Sequence, residues 1–108
     1  MKRGEIVTIA IQGDFGKPRP ALVIQSDLFN ATHATVTVML ISSELENAPL
    51  FRINLAPDAK NCLSKASQIQ VDKIMTVRRE KIGAPIGCLD ELTMLQVNRA
   101  LVVWAGLT

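Results

Sequence analysis

Tyrosine is absent from this chain, and its whole aromatic complement is Phe15, Phe29, Phe51 and Trp104. RNA-binding sheets that stack bases need rows of aromatic faces, so a platform of the RRM or OB kind is excluded. Histidine occurs once, as His33, and the two cysteines, Cys62 and Cys88, lack metal-ligand spacing. That excludes a zinc site, and no metal or other cofactor is expected. His33 reads as an ordinary polar loop residue. No apolar run approaches the ~20 residues of a membrane span. The opening Met1-Lys2-Arg3 is followed by Glu5 and Thr8, which reads as a strand rather than a signal peptide. Two thiols in such a chain fit a reducing compartment, so the expected location is the cytoplasm. A net charge of only +2 excludes a strong overall field for nucleic acid.

What the sequence does contain is enough apolar material for one core. Hydrophobic residues make up 48% and charged residues 20% of 108, so a single folded domain spanning 1–108 is expected. Strands are predicted over Glu5 to Ile11, Pro20 to Gln25, Ala34 to Ser42 and Leu50 to Leu55, from alternation and β-branched content. Ser26-Asp27 suits the cap of a short helical turn through Asn30. Ser67 to Val71 and Lys73 to Arg79 read as two further short strands, and Gly83-Ala84-Pro85-Ile86-Gly87 as a break. One long helix follows, capped at Asp90 and ending near Ala105, with Gly106 just past its end. Met94, Val97, Leu101 and Trp104 form its apolar stripe, widened by Leu95, Ala100 and Val103. Strands first and one helix last suggest a small antiparallel sheet or barrel covered by the helix.

The chain is organised around Gly16-Lys17-Pro18-Arg19-Pro20-Ala21-Leu22-Val23-Ile24. Each proline fixes its own φ near −65°, and Pro20 also drives Arg19 toward an extended conformation. The guanidinium is therefore expected at a strand mouth, where the loop from Gln12 to Pro18 ends. Together with Arg3-Gly4-Glu5-Ile6-Val7, this stretch resembles the amino-terminal signature of MazF/PemK/Kid-type toxins of bacterial toxin–antitoxin modules. The likeness runs from Arg3 to about Leu107.

That resemblance implies a mainly β fold with a C-terminal helix, an SH3-like barrel of the MazF/CcdB type, and metal-independent cleavage of single-stranded RNA. In such cleavage the RNA's own 2′-hydroxyl attacks phosphorus, leaving a cyclic phosphate and a 5′-hydroxyl. Arg19 matches the family's catalytic arginine and Ser42 its catalytic threonine, with Ser43 as the alternative source of the hydroxyl. Serine keeps the hydroxyl but loses the β-methyl that stiffens χ1. Asp72 falls in the segment where some relatives carry an acid–base aspartate paired with an arginine; Gln70 stands where that arginine would be. Asp72 thus reads as a turn residue or a general base, with Asp14 as the other candidate base. Lys17, Ser43, Gln70, Lys73, Arg78 and Arg79 complete the expected RNA-binding set. The implied partners are RNA, a second copy of the chain and an acidic antitoxin. Two alternatives stand beside this reading. One is a CcdB-like gyrase poison, suggested by Trp104-Ala105-Gly106 near the end of the chain, although helical register favours burial of Trp104. The other is a non-catalytic binding module on the same scaffold.

Overall fold

A computed structural model describes residues 1–11 and 17–107. Its elements are β1 (Glu5–Ala10), β2 (Pro18–Val23), α1 (Asp27–Asn30), β3 (Thr35–Ser42), β4 (Arg52–Leu55), β5 (Ser67–Arg78), β6 (Ile82–Cys88) and α2 (Glu91–Trp104). A 3₁₀ turn, Arg79–Lys81, joins β5 to β6. All strand pairs are antiparallel, in the order β4-β5-β3-β2-β1-β6.

Alternation along the central strands sends successive side chains to opposite faces. Ile6, Leu22, Met39, Ile41, Ile69 and Val71 pack on one face with Val97 of α2. Val7, Ile9, Ala21, Val23, Val36, Val38 and Val77 form a second cluster. Two apolar faces explain why β2 and β3 read as near-continuous apolar runs rather than clean alternations.

Three expectations are corrected. β5 is one 12-residue strand, not two. It survives the polar Asp72-Lys73 step by bulging: Met39 pairs with Ile74 and Ile41 with Ile69, so Gln70 to Lys73 face the single residue Leu40. A bulge keeps both flanking segments in register while bending the strand. The glycine- and proline-rich stretch around Pro85 is β6, an edge strand pairing with β1 through two irregularities. An edge position tolerates the missing N–H of Pro85. The third correction concerns α2, whose buried stripe is narrower than its sequence pattern. Val97 is buried and Met94, Ala100 and Leu101 pack on the core, but Leu95, Val103 and Trp104 are half-exposed or more. The Trp104 ring instead lies against Phe51, with centroids 5.8 Å apart.

The helix ends behave as the sequence suggests. Asp90 accepts from the Thr93 N–H at 2.7 Å. At the other end Gly106, at φ +69°, supports paired bonds from its own N–H to Val103 and from Leu107 N–H to Val102. That is the Schellman arrangement, which favours glycine.

Candidate active site

Prolines in β2 open the site. Ile24 donates its N–H to the Thr37 carbonyl, so even-numbered N–H groups of this strand point toward β3. At positions 20 and 18 those groups are missing, because both residues are proline. The β2–β3 pairing accordingly runs from Val23↔Val38 only to Ala21↔Leu40. Continuing the same register would set Arg19 opposite Ser42. The ladder stops short of that pair, and a cleft of about 470 Å³ lies there.

Arg19 is the second residue of β2, opposite Ile9 of β1, at the strand mouth, and β2 begins at Pro18, two residues before the expected start at Pro20. It lines the cleft with Lys17, Ser42, Ser43, Glu44, Lys65 and Gln70. Lys17 and Arg19 are exposed, and three cations against Glu44 favour an anionic occupant. Ser42 is half-buried at the end of β3, where its Oγ accepts from the Glu44 N–H at 3.0 Å. That bond fixes the serine rotamer and leaves the hydroxyl proton to be donated. Ser43 is exposed beside it.

The remaining predicted residues that the structure describes lie off the cleft lining. Asp72 sits in the β5 bulge with its Oδ2 3.8 Å from Lys73 Nζ, and its buried Oδ1 has no hydrogen-bond partner among the described residues. Arg78 is at the far end of β5, opposite Thr35. Arg79 donates through Nε and Nη2 to the His33 carbonyl, at 3.1 and 2.8 Å, which ties the entry of β3 to the 3₁₀ turn. Asp14 lies outside the described residues. Arg3, part of the recognised signature, is also structural: Nε donates to the Ile24 carbonyl and Nη2 to Asn98 Oδ1, each at 2.8 Å.

Two residues at or bonded to the cleft lining were not singled out in the sequence. Lys65 is in a loop between turn residues and carries no periodic signal. Arg52 was absorbed into a predicted strand, yet only 7% of its side chain is exposed. Its signal was the pattern Phe51-Arg52-Ile53-Asn54-Leu55, which puts Arg52 and Asn54 on the face away from Ile53 and Leu55. No group of three or more metal-ligating side chains occurs among the described residues. No helix among them is long and apolar enough to cross a membrane.

An antiparallel sheet packed against one terminal helix, with an arginine and a serine lining one cleft where two strands part, defines a small, mainly β protein. The chain belongs to the PemK-like, MazF-like toxins of type II toxin–antitoxin systems, whose family model matches residues 2–104. It is 43% identical over 108 residues to the probable endoribonuclease MazF of Mycolicibacterium smegmatis, covering 99% of this chain and 98% of that one. It is 29% identical to the endoribonuclease EndoA of Bacillus subtilis, over 95% and 92% of the two chains. Among solved structures, a mycobacterial endoribonuclease in complex with its cognate antitoxin superposes with a TM-score of 0.84 at 20% identity, covering 100% of this chain and 97% of that chain. A MazE–MazF structure from Deinococcus radiodurans gives 0.79 at 17% identity, over 98% and 95%. These two likenesses establish the expected fold. The relatives' names accord with the ribonuclease reading rather than with a gyrase poison.

Proposed function

We propose that this protein is the toxin of a two-component module and an endoribonuclease that cleaves single-stranded RNA, messenger RNA included, without a metal ion, thereby stopping translation and growth. The observation that carries this is the convergence of Arg19 and Ser42 on one cationic cleft. The reaction needs an in-line 2′-hydroxyl, neutralised non-bridging oxygens, and a proton for the departing 5′-oxygen. Arg19 supplies a planar, permanently charged fork that grips phosphate through two hydrogen bonds. Ser42 adds one donor from a rotamer held by Glu44. Lys17 and Lys65 hold the flanking phosphates. The 2′-hydroxyl gives its proton to solvent water as its oxygen bonds to phosphorus, and the 5′-oxygen takes a proton from solvent as its bond to phosphorus breaks, giving a cyclic phosphate and a 5′-hydroxyl.

The proposal includes a cytoplasmic homodimer, and an acidic antitoxin segment that folds over the cationic cleft and displaces RNA. The test is incubation of pure protein with a long single-stranded RNA in EDTA, followed by mapping of both new ends. Cleavage with 5′-hydroxyl and cyclic-phosphate ends is expected. A requirement for added magnesium, or 3′-hydroxyl products, would overturn it.

A further inference from the structure

The nearly buried guanidinium of Arg52, the first residue of β4, lies outside the cleft lining but bonds two residues of it, Glu44 and Gln70. A guanidinium has donors and no acceptor, so every group it binds must turn an oxygen toward it. Nη1 donates to the Glu44 carbonyl at 3.0 Å and to Gln68 Oε1 at 3.1 Å. Nη2 donates to Gln70 Oε1 at 3.2 Å and lies 3.4 Å from Glu46 Oε1.

Two effects reach the cleft. An unconstrained carboxamide can present either end, but Arg52 takes the oxygen of Gln70. The end left for the cleft that Gln70 lines is therefore Nε2, a donor suited to phosphate. The second effect passes through the Glu44 backbone, which is held on both sides of its Cα. Its carbonyl accepts from Arg52 and its N–H donates to Ser42 Oγ. Gln68, the cross-strand partner of Ser42, accepts from Arg52 as well, and also from the Glu46 N–H at 2.9 Å. One side chain thus ties the loop after β3 to β5.

The geometry points to Arg52 as a positioning residue for RNA cleavage, which sets the Ser42 hydroxyl and turns the Gln70 amide donor toward the bound phosphate. This rests on the ribonuclease reading of the cleft. Arg52→Lys keeps the charge but cannot span three acceptors with one nitrogen. It should lower kcat/KM on a fluorescent RNA about tenfold, acting on both kcat and KM. In a Ser42→Ala, Gln70→Ala background the same change should matter by less than about twofold, because its targets are gone. An equal factor in both backgrounds would overturn the inference, since Arg52 would then act through general stability.

Gln70→Glu provides an arm that does not depend on the folding of an Arg52 variant. The carboxylate still accepts from Arg52, but it presents an oxygen and a negative charge to phosphate. Binding of a 2′-deoxy-substituted oligonucleotide should weaken about tenfold with the melting temperature unchanged. Parental binding would overturn the inference. Arg19→Ala, run alongside, separates the two levels. If Arg19→Ala cleaves like the parent, the ribonuclease reading of the cleft fails. If it is inactive while Arg52→Lys and Gln70→Glu remain parental, only the positioning role fails.

Discussion

Arg19 carries the largest share of the expected chemistry, and its place on an exposed stretch of β2 makes that testable. Arg19→Ala removes little buried apolar surface, so stability should stay within about 0.5 kcal/mol. Loss of one preorganised donor to transition-state charge should slow cleavage by about 10²–10³-fold, roughly 3–4 kcal/mol. Arg19→Lys should recover part of this, because an ammonium keeps the charge without the fork. The measurement is the initial rate on a fluorescent RNA, with melting as the fold control. An Arg19→Ala rate within about threefold of the parent, a difference below ~0.7 kcal/mol, would make Arg19 a structural residue. At Ser42 the bond from the Glu44 N–H does the stiffening that a threonine β-methyl would otherwise do. Ser42→Thr should therefore retain activity, while Ser42→Ala should lose activity but less than Arg19→Ala. The same rate assay ranks them, and a Ser42→Ala enzyme as active as the parent would shift the hydroxyl role to Ser43.

Among the elements, α2 offers a prediction with a definite sign. The backbone N–H of Thr93, donated to Asp90, holds that carboxyl below its ordinary range. A lowered folded value means that the cap stabilises fully above the unfolded value, about pH 4, and is lost as pH falls through the folded one. Asp90→Asn keeps an acceptor but not the charge. Melting temperatures of parent and variant should therefore differ most near neutrality and converge in acid. A gap that is constant with pH would remove the charge from the explanation. β6 gives a second case. A Cβ at Gly87 would collide with the backbone carbonyls of Lys60 and Asn61, where Cys88 donates its N–H to Lys60 at 3.0 Å. Backbone cannot swing aside as a side chain can, so Gly87→Ala should destabilise by about 1–3 kcal/mol. Calorimetric melting within a degree of the parent would show that the 60–61 turn yields.

For the molecule as a whole, α2 leaves apolar surface unused. Leu92, Val103 and Trp104 are exposed by 75%, 62% and 51%, and Leu50 near the start of β4 by 75%. Apolar surface of this kind on a small chain suits a symmetric contact, and a dimer would join two Arg19 clefts into one longer groove. Light scattering at micromolar concentration should give twice the chain mass. A stable monomer would count against the dimer and leave the outer face of α2 without that explanation.

Much of this protein is local and was therefore legible in the amino-acid order. Alternating and β-branched runs mark β1 to β3, because side-chain direction along a strand is set within a few residues. Asp90 and Gly106 mark the ends of α2, because caps involve neighbours three to five positions away. The bracketing of Arg19 by Pro18 and Pro20 marks an extended strand mouth, because each ring fixes its own φ and Pro20 restricts Arg19. That the missing N–H groups face β3 and end that ladder, while the pairing with β1 continues, was decided by the sheet. The remaining features depend on partners distant in sequence. The β5 bulge follows from matching β5 to β3 on either side of Leu40, so Asp72 reads locally as a turn. β6 is a strand because β1 offers it an edge. Trp104 fits an apolar stripe in sequence, but the helix meets the sheet along a narrower line. Arg52 is nearly buried because Glu44, Gln68 and Gln70 supply oxygens to its two terminal nitrogens from up to 18 positions away, partners in place only once β4 and β5 have paired, while its buried Nε has no partner among the described residues.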